Sequence, residues 1–458
     1  MKNTIILFFL FFSFNGFAQD FTISWYRPYD ASCAQDGYHT LRGYPGDSNG
    51  SFKSAGFNTL ITYSQDLLQM YNGNTSNLDI NDLISATNQY INTYPNQKFI
   101  LDIVPKSYYS HFFSNSDVQQ YISAFENNSQ VKGWYIADEP EIQSAPHFDK
   151  SALISRYNYI KSISDKDVYV VFVNVKKFKA KFESTPGSES VAHFYDVLMV
   201  DSYPIQIGSN YYDMSETLWP VQKAIEIARN DQNFASDLVM FVAQGQGYNE
   251  DNNNCSFDYL NQDDFDQAQI RYMVMAPLIW GAKGMFFWSY ANASKRGLPS
   301  DSWKVVHQFV NWFTAPDFHG NLGIILGTSP EPSDPTYENG IHYRTKIIDT
   351  SPFTKEAYIL SSNNSNTTKT KTISVPSFAN YEITSAVEKE FWYSTPHNIG
   401  DDPHSVINYS ISSTWVGREI KVFKIAYTKN NCGDMPCPQK QFDQSTKQTN
   451  IPLGACRT

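Results

Sequence analysis

A chain of 458 residues with a formal charge of −11 is longer than one ordinary hydrophobic core accommodates, so two domains are expected. The acidic balance argues against nucleic acid and anionic surfaces as partners, since both repel it. Aromatic residues make up 16% of the chain, with 30 Tyr and 9 Trp; core packing accounts for most, and sugar-stacking platforms around a cleft are the sharper reading.

Residues 1–18 read as a signal peptide. Lys2 supplies the positive start, an apolar run follows over residues 5–14, and Gly16-Phe17-Ala18 forms a small-residue cleavage site. That run is too short for a membrane-spanning helix. No cysteine follows the cleavage point, so a lipid anchor is not expected; a secreted or periplasmic location is. In that oxidising setting the five cysteines become disulfide candidates. Cys33 and Cys255 fall in predicted loops, and Cys432, Cys437 and Cys456 crowd the tail. A Cys33–Cys255 bridge plus one within the tail is one arrangement, and the sequence does not decide the connectivity. The spacing matches no zinc pattern, and neither metal nor cofactor is predicted.

From there the chain alternates. Apolar or β-branched runs at 22–26, 59–63, 99–104, 131–137, 168–173, 197–200, 238–243 and 284–288 are predicted strands. Helical segments fall between them at 79–94, 117–127, 150–164, 218–230 and 263–280. Strands alternating with helices predict parallel pairing and right-handed crossovers. Eight repeats within 19–320 fit a (β/α)₈ TIM barrel. An open doubly wound sheet is the alternative, but no Gly-rich phosphate turn follows Tyr26. Over 321–428 the texture changes to short runs at 342–348, 356–361, 370–375, 381–387, 405–411 and 418–426. This predicts a C-terminal antiparallel β-sandwich. Residues 429–458 form a polar, cysteine-containing tail.

In a barrel of this kind the chemistry sits at the carboxyl ends of the strands. The fourth strand runs Val131-Lys-Gly-Trp-Tyr-Ile-Ala-Asp-Glu-Pro140. Pro140 cannot donate to a ladder, so Asp138 and Glu139 are delivered to the strand end. Arg27 follows the first strand, Asp201 and Tyr203 end the sixth, Gln244, Gln246 and Tyr248 the seventh, and Trp288 the eighth. Glu141 follows the fourth strand, Lys176 the fifth, and Asp102 lies within the third. Acids, amides and aromatics with few cations suit a polyhydroxylated neutral ligand, a poly- or oligosaccharide. Each residue also has an ordinary structural reading: Asp-Ser-x-Pro is turn chemistry, and Arg27 can pair with Asp138 or Asp30.

The order Gly-Trp-Tyr-Ile-Ala-Asp-Glu-Pro at strand four, Asp-Ser-Tyr-Pro at strand six and Phe-Phe-Trp-Ser-Tyr at strand eight resembles the retaining glycoside hydrolases of clan A. Family-42 beta-galactosidases are the nearest in flavour, and the resemblance spans roughly residues 21–315. It implies that Glu139 is the general acid/base, that Asp201 and Tyr203 face the sugar, and that Trp288 is an aromatic platform. One departure is larger than the matches. That clan carries its nucleophilic Glu at the end of strand seven, where this chain has Ala243-Gln-Gly-Gln246. An amide has no anionic oxygen to capture the oxocarbenium centre.

Three readings stay open. Asp201 could serve as nucleophile, or as base for an inverting reaction. The substrate's acetamido group could act instead, oriented by Asp138 or Asp201, as in an N-acetylhexosaminidase-type enzyme. Or the barrel could be a non-catalytic glycan binder. Adjacent strand residues point to opposite faces, so Asp138 and Glu139 are not expected to flank one bond. Asp138 would then set the acidity of Glu139 or hold a neighbouring loop. The expectation is a glycosidase with Glu139 and Asp201 as its two catalytic carboxyl groups.

Overall fold

The computed structural model describes residues 22–26, 58–64, 67–68, 79–103, 113–188, 190–202, 215–230, 238–244, 267–288, 334–389, 401–403, 405–429, 442–443 and 448–449. Eight strands come first: β1 (Thr22–Tyr26), β2 (Thr59–Thr62), β3 (Lys98–Asp102), β4 (Val131–Asp138), β5 (Asp167–Phe172), β6 (Val197–Ser202), β7 (Leu238–Gln244) and β8 (Gly284–Trp288). Each pairs in parallel with the next, and β8 returns to β1, closing a barrel. Between them lie α1 (Ile80–Thr93), α2 (Asn115–Phe125), α3 (Lys150–Lys161), α4 (Val175–Phe182), α5 (Ser215–Asn230) and α6 (Gln267–Trp280).

Local chemistry sets the helix starts. Asp79 accepts from the backbone N–H groups of Asn81 and Asp82 ahead of α1. Ser114 and Asp117 form a reciprocal capping box on α2. One face of α1, carrying Leu83, Ala86, Thr87, Tyr90 and Ile91, is buried against the sheet. Helix α4 was not among the predicted helices. Its first residues read from sequence as the polar end of strand five, but Asn174 caps it by accepting from the Lys177 N–H.

Alternation along the strands sorts side chains into two shells. Ile61, Tyr63, Ile100, Tyr135, Tyr169, Val171, Val197, Met199, Met240, Val242 and Phe286 fill the lumen. Leu60, Leu101, Trp134, Val168, Leu198 and Phe287 join the larger cluster under the helices. Gly133 makes room inside. A Cβ there would lie 2.2 Å from the Asp167 carbonyl oxygen and 2.5 Å from Tyr169 Cε2.

The C-terminal part is antiparallel. Its strands are β9 (Thr336–Glu338), β10 (Ile341–Ser351), β11 (Thr354–Asn363), β12 (Lys369–Ser374), β13 (Tyr381–Lys389), β14 (Asp401–Pro403), β15 (Ser410–Trp415) and β16 (Ile420–Lys429). Six form a sheet in the order β14-β13-β16-β11-β10-β9, and β12 pairs with β15. Ile359 and Phe423 of the larger sheet share one buried cluster with Ile373, Ile411 and Trp415 of the smaller. The larger sheet's other face meets the barrel, where Tyr358, Leu360, Ile420 and Val422 join the helix-side cluster. Arg344, buried there, donates from Nε to the Ile279 carbonyl at 2.7 Å and from Nη2 to that of Trp280 at 3.4 Å. It thereby satisfies carbonyls at the end of α6 that have no partner within the helix.

The predicted strand at 405–411 is corrected. Asn408 (φ 50°) and Tyr409 (φ 55°) adopt left-handed backbone, so the chain turns there and the strand starts at Ser410. A short pair, Phe442–Asp443 with Gln448–Thr449, lies in the tail. All five cysteines and the predicted signal segment lie outside the described residues. No described helix is long and apolar enough to cross a membrane.

Gly133→Ala should destabilise the protein by about 2 kcal/mol or more, because the methyl group meets backbone that cannot swing aside. The midpoint of denaturant unfolding measures this, and an unchanged midpoint would contradict the packing described.

Candidate active site at the barrel mouth

The carboxyl end of β4 is irregular, and the irregularity sets the site. Tyr135 pairs with Tyr169, but the next partners are Ala137 with Val170 and Asp138 with Val171, so β4 carries one extra residue. Strict alternation from the inward Tyr135 would turn Asp138 outward. With this bulge, Ile136 and Ala137 both face the helices and Asp138 points into the lumen. Its two oxygens are held from below. Tyr63 Oη donates to Oδ2 at 2.8 Å, and Tyr135 Oη donates to Oδ1 at 2.9 Å. The expected role of Asp138 is to tune Glu139 or hold a loop; the structure adds two lumen tyrosines as its partners.

Glu139 leaves the strand with φ 46°, a left-handed conformation that costs a non-glycine residue about 1–3 kcal/mol. Pro140 adds to the strain by disfavouring helical backbone in the residue before it. Several contacts over-determine this turn. The Glu139 N–H donates to the Val171 carbonyl at 3.0 Å, and the Ile142 N–H donates back to the Glu139 carbonyl at 3.1 Å. From α4, Lys181 Nζ donates to the carbonyls of Pro140 and Gln143, both at 2.8 Å. Glu139 stands half-buried at the rim.

Glu141 is the residue whose importance the sequence understated. It is buried, and its Oε1 accepts from the backbone N–H groups of Val173 at 2.8 Å and Asn174 at 2.7 Å. Those bonds weld the β4 turn to the start of α4. Burial pushes its pKa above the ordinary carboxylate value. Three backbone donors, those of Asn174, Glu141 itself and Val173, work against that rise, and the nearby Asp138 carboxylate adds to it.

Asp201 is buried in β6, two residues beyond the lumen-facing Met199, on the same side of the strand. Asp102 sits deeper, accepting from Ser64 N–H at 2.9 Å and Ser64 Oγ at 3.0 Å, the interior structural role its place within β3 implies. Gln244 and Trp288 pair across the ends of β7 and β8. Arg27, Tyr203, Gln246 and Tyr248 lie outside the described residues. The structure thus brings Asp138, Glu139 and Asp201 to the carboxyl-end face of one closed barrel. Tyr63 was missed as a site residue because nothing local links it to Asp138, 75 positions away.

No family model matches the chain, and no curated protein does. Among solved structures it is similar to an alpha-amylase from Anoxybacillus, with 10% identity, TM-score 0.50, and coverage of 89% of this chain and 98% of that one. A GH30 endoxylanase from Clostridium papyrosolvens gives 12% identity and TM-score 0.42, covering 90% and 96%. A protein described as a putative alpha-galactosidase from Bacteroides fragilis gives 9% and 0.48, covering 90% and 80%. At 10% identity the likeness to the alpha-amylase is one of fold.

The Glu141 shift has a consequence with a definite sign. An acid whose folded pKa lies above its unfolded one binds more protons when folded, so its contribution to stability falls as pH rises from the unfolded value toward the folded one. Melting temperatures of wild type and Glu141→Gln measured across pH should therefore diverge. Wild type should lose ground to the variant as pH climbs above the ordinary carboxylate value of 4.5. Parallel curves would contradict the assignment.

Proposed function

We propose that this protein is a secreted glycoside hydrolase that cleaves O-glycosidic bonds of a poly- or oligosaccharide. It would act on a (β/α)₈ barrel stabilised by a C-terminal β-sandwich. Glu139 is the general acid/base and Asp201 the second catalytic carboxyl group. Asp138, Tyr203, Gln244, Gln246, Tyr248, Trp288 and Arg27 shape the sugar subsite. Neither metal nor cofactor takes part in this reading.

The observation that carries it is the β4 terminus. A left-handed Glu139 is held against its backbone preference by four polar contacts, beside a bulge that turns Asp138 inward. Strain held in this way clusters at functional positions in folded proteins. Glycoside hydrolysis needs one carboxyl group protonated and a second ionised across the bond. The half-buried rim carboxyl and the buried lumen carboxyl offer two such different environments.

One observation favours a second assignment. Asp138, like Asp201, lies on the lumen side, and its two tyrosine donors fix both of its oxygens. A pair made of Asp138 and Asp201 would span the mouth, leaving Glu139 to bind substrate.

Reducing-end release from neutral, acidic and amino-sugar polysaccharides tests these readings with Glu139→Gln, Asp201→Asn and Asp138→Asn. Loss of about 10²–10⁴-fold in the first two is expected. A loss confined to Asp138→Asn and Asp201→Asn selects the second assignment. Turnover only on N-acetylated substrates selects the substrate-assisted route. Glycan binding with no turnover anywhere reduces the barrel to a binding protein.

A further inference from the structure

We infer that the barrel rim between β5 and β6 carries a subsite for an anionic sugar, built from Trp219, Lys176 and Lys177, so that the polysaccharide taken is an acidic one. This rests on the carbohydrate reading above. It goes beyond it by naming a substrate charge that the chain's overall charge of −11 would not lead one to expect.

Three observations converge on the place. Helix α4 reads Val-Lys-Lys-Phe-Lys-Ala-Lys-Phe, four lysines in eight residues with no acid among them. Its apolar residues Val175, Phe178 and Phe182 are buried, while Lys176 and Lys177 are exposed. Near the start of α5, Trp219 is 37% exposed, a large aromatic surface left open to solvent. Lys176 Nζ stands 5.9 Å from the centre of that ring, so the two helices present aromatic face and ammonium group together.

The location follows from topology. In a βα unit the helix starts at the carboxyl end of its strand and runs back, so the first turns of α4 and α5 lie at the mouth. The link to the β4 turn is direct. Glu141 of that turn accepts from Val173 and Asn174, immediately ahead of Lys176, and Lys181 from the same helix grips Pro140 and Gln143. The aromatic–lysine pair is therefore tied to the segment that carries Glu139.

The chemistry is complementary to a sugar ring bearing a carboxylate or sulfate. An indole face takes the apolar C–H face of a pyranose, as aromatic side chains do with flat apolar surfaces. An exposed cation–π contact is weak, and the flexible lysine stem can swing off the ring as the sugar arrives. The ammonium then meets the anionic substituent at the ring's edge, with Lys177 on the next position of the helix. A neutral glycan would use the tryptophan and leave both lysines idle.

The test measures binding by the full-length protein carrying Asp201→Asn, which is inactive under either assignment above and keeps substrate intact. The probes are polygalacturonate for carboxylate, carrageenan for sulfate, and laminarin and unsubstituted xylan as neutral controls. One acidic polymer should bind at least about tenfold more tightly than the neutral ones. That preference should vanish between about 0.01 M and about 1 M salt. Adding Trp219→Ala, or Lys176→Met with Lys177→Met, should weaken the acidic polymer about tenfold. Trp219→Phe and Lys176→Arg should restore most of it, with unchanged melting temperatures because both positions are exposed. Which acidic polymer binds identifies the substituent. Equal binding of neutral polymers, or acidic binding that survives both variants, would overturn the subsite while leaving the hydrolase reading intact. Absence of both binding and turnover on every glycan would remove the carbohydrate reading and this inference with it.

Discussion

The site depends on one extra residue in β4. A parallel barrel enforces alternation: lumen and helix layers are separate apolar phases, and a strand in register must send successive side chains to each. At its mouth β4 escapes that rule. Two consecutive apolar residues, Ile136 and Ala137, are absorbed by the helix side, and the carboxylate after them turns into the lumen. A carboxyl group there is accommodated because Tyr63 and Tyr135 reach it with hydroxyl donors, so that its polar atoms keep partners. The tyrosines are large enough to fill the lumen and polar only at the tip, so one side chain serves both core and site.

The turn after the bulge shows how a strained conformation is kept. Glu139 alone would relax out of left-handed backbone. It is held because its neighbours are committed elsewhere: Glu141 to the start of α4, and the carbonyls of Pro140 and Gln143 to Lys181. Burial opposes charge on both Glu141 and Lys181, raising the pKa of the first and lowering that of the second. Both are placed where hydrogen bonds to backbone compensate. Helix α4 thus acts as a bracket, with its buried side gripping the β4 turn and its exposed lysines colouring the rim beside it. An acidic protein can in this way present a locally basic edge, because screening confines the influence of distant surface charges to about 8–10 Å.

The larger antiparallel sheet meets the barrel along α6. Arg344 satisfies the last carbonyls of α6, and the Arg418 guanidinium lies 5.4 Å over the Tyr272 ring of the same helix. Burial lowers the Arg344 pKa to about 10, a cost offset by its carbonyl partners and by the apolar area closed around it. The contact steadies α6 and so β8, which the barrel needs to close against β1.

Much of this was legible in the sequence. Apolar period and turn chemistry located the eight barrel strands to within a residue or two, because buried parallel strands read as continuous apolar runs. Pro140 marked the end of β4 and placed Asp138 and Glu139 there. Helix α4 is not legible there, since its lysines mask a three-residue apolar stripe, and the apolar pattern at 405–411 runs through Asn408 and Tyr409, where left-handed backbone makes a turn. What only the tertiary structure decided is which way the carboxylates face and what holds them. The bulge at Ile136 depends on the register between β4 and β5, the Tyr63 bond to Asp138 crosses 75 residues, and the bracket from α4 exists only once β4 and β5 lie side by side. Strand identity is written in local pattern, whereas side-chain direction at a strand end depends on pairing with a neighbour that the local pattern does not contain.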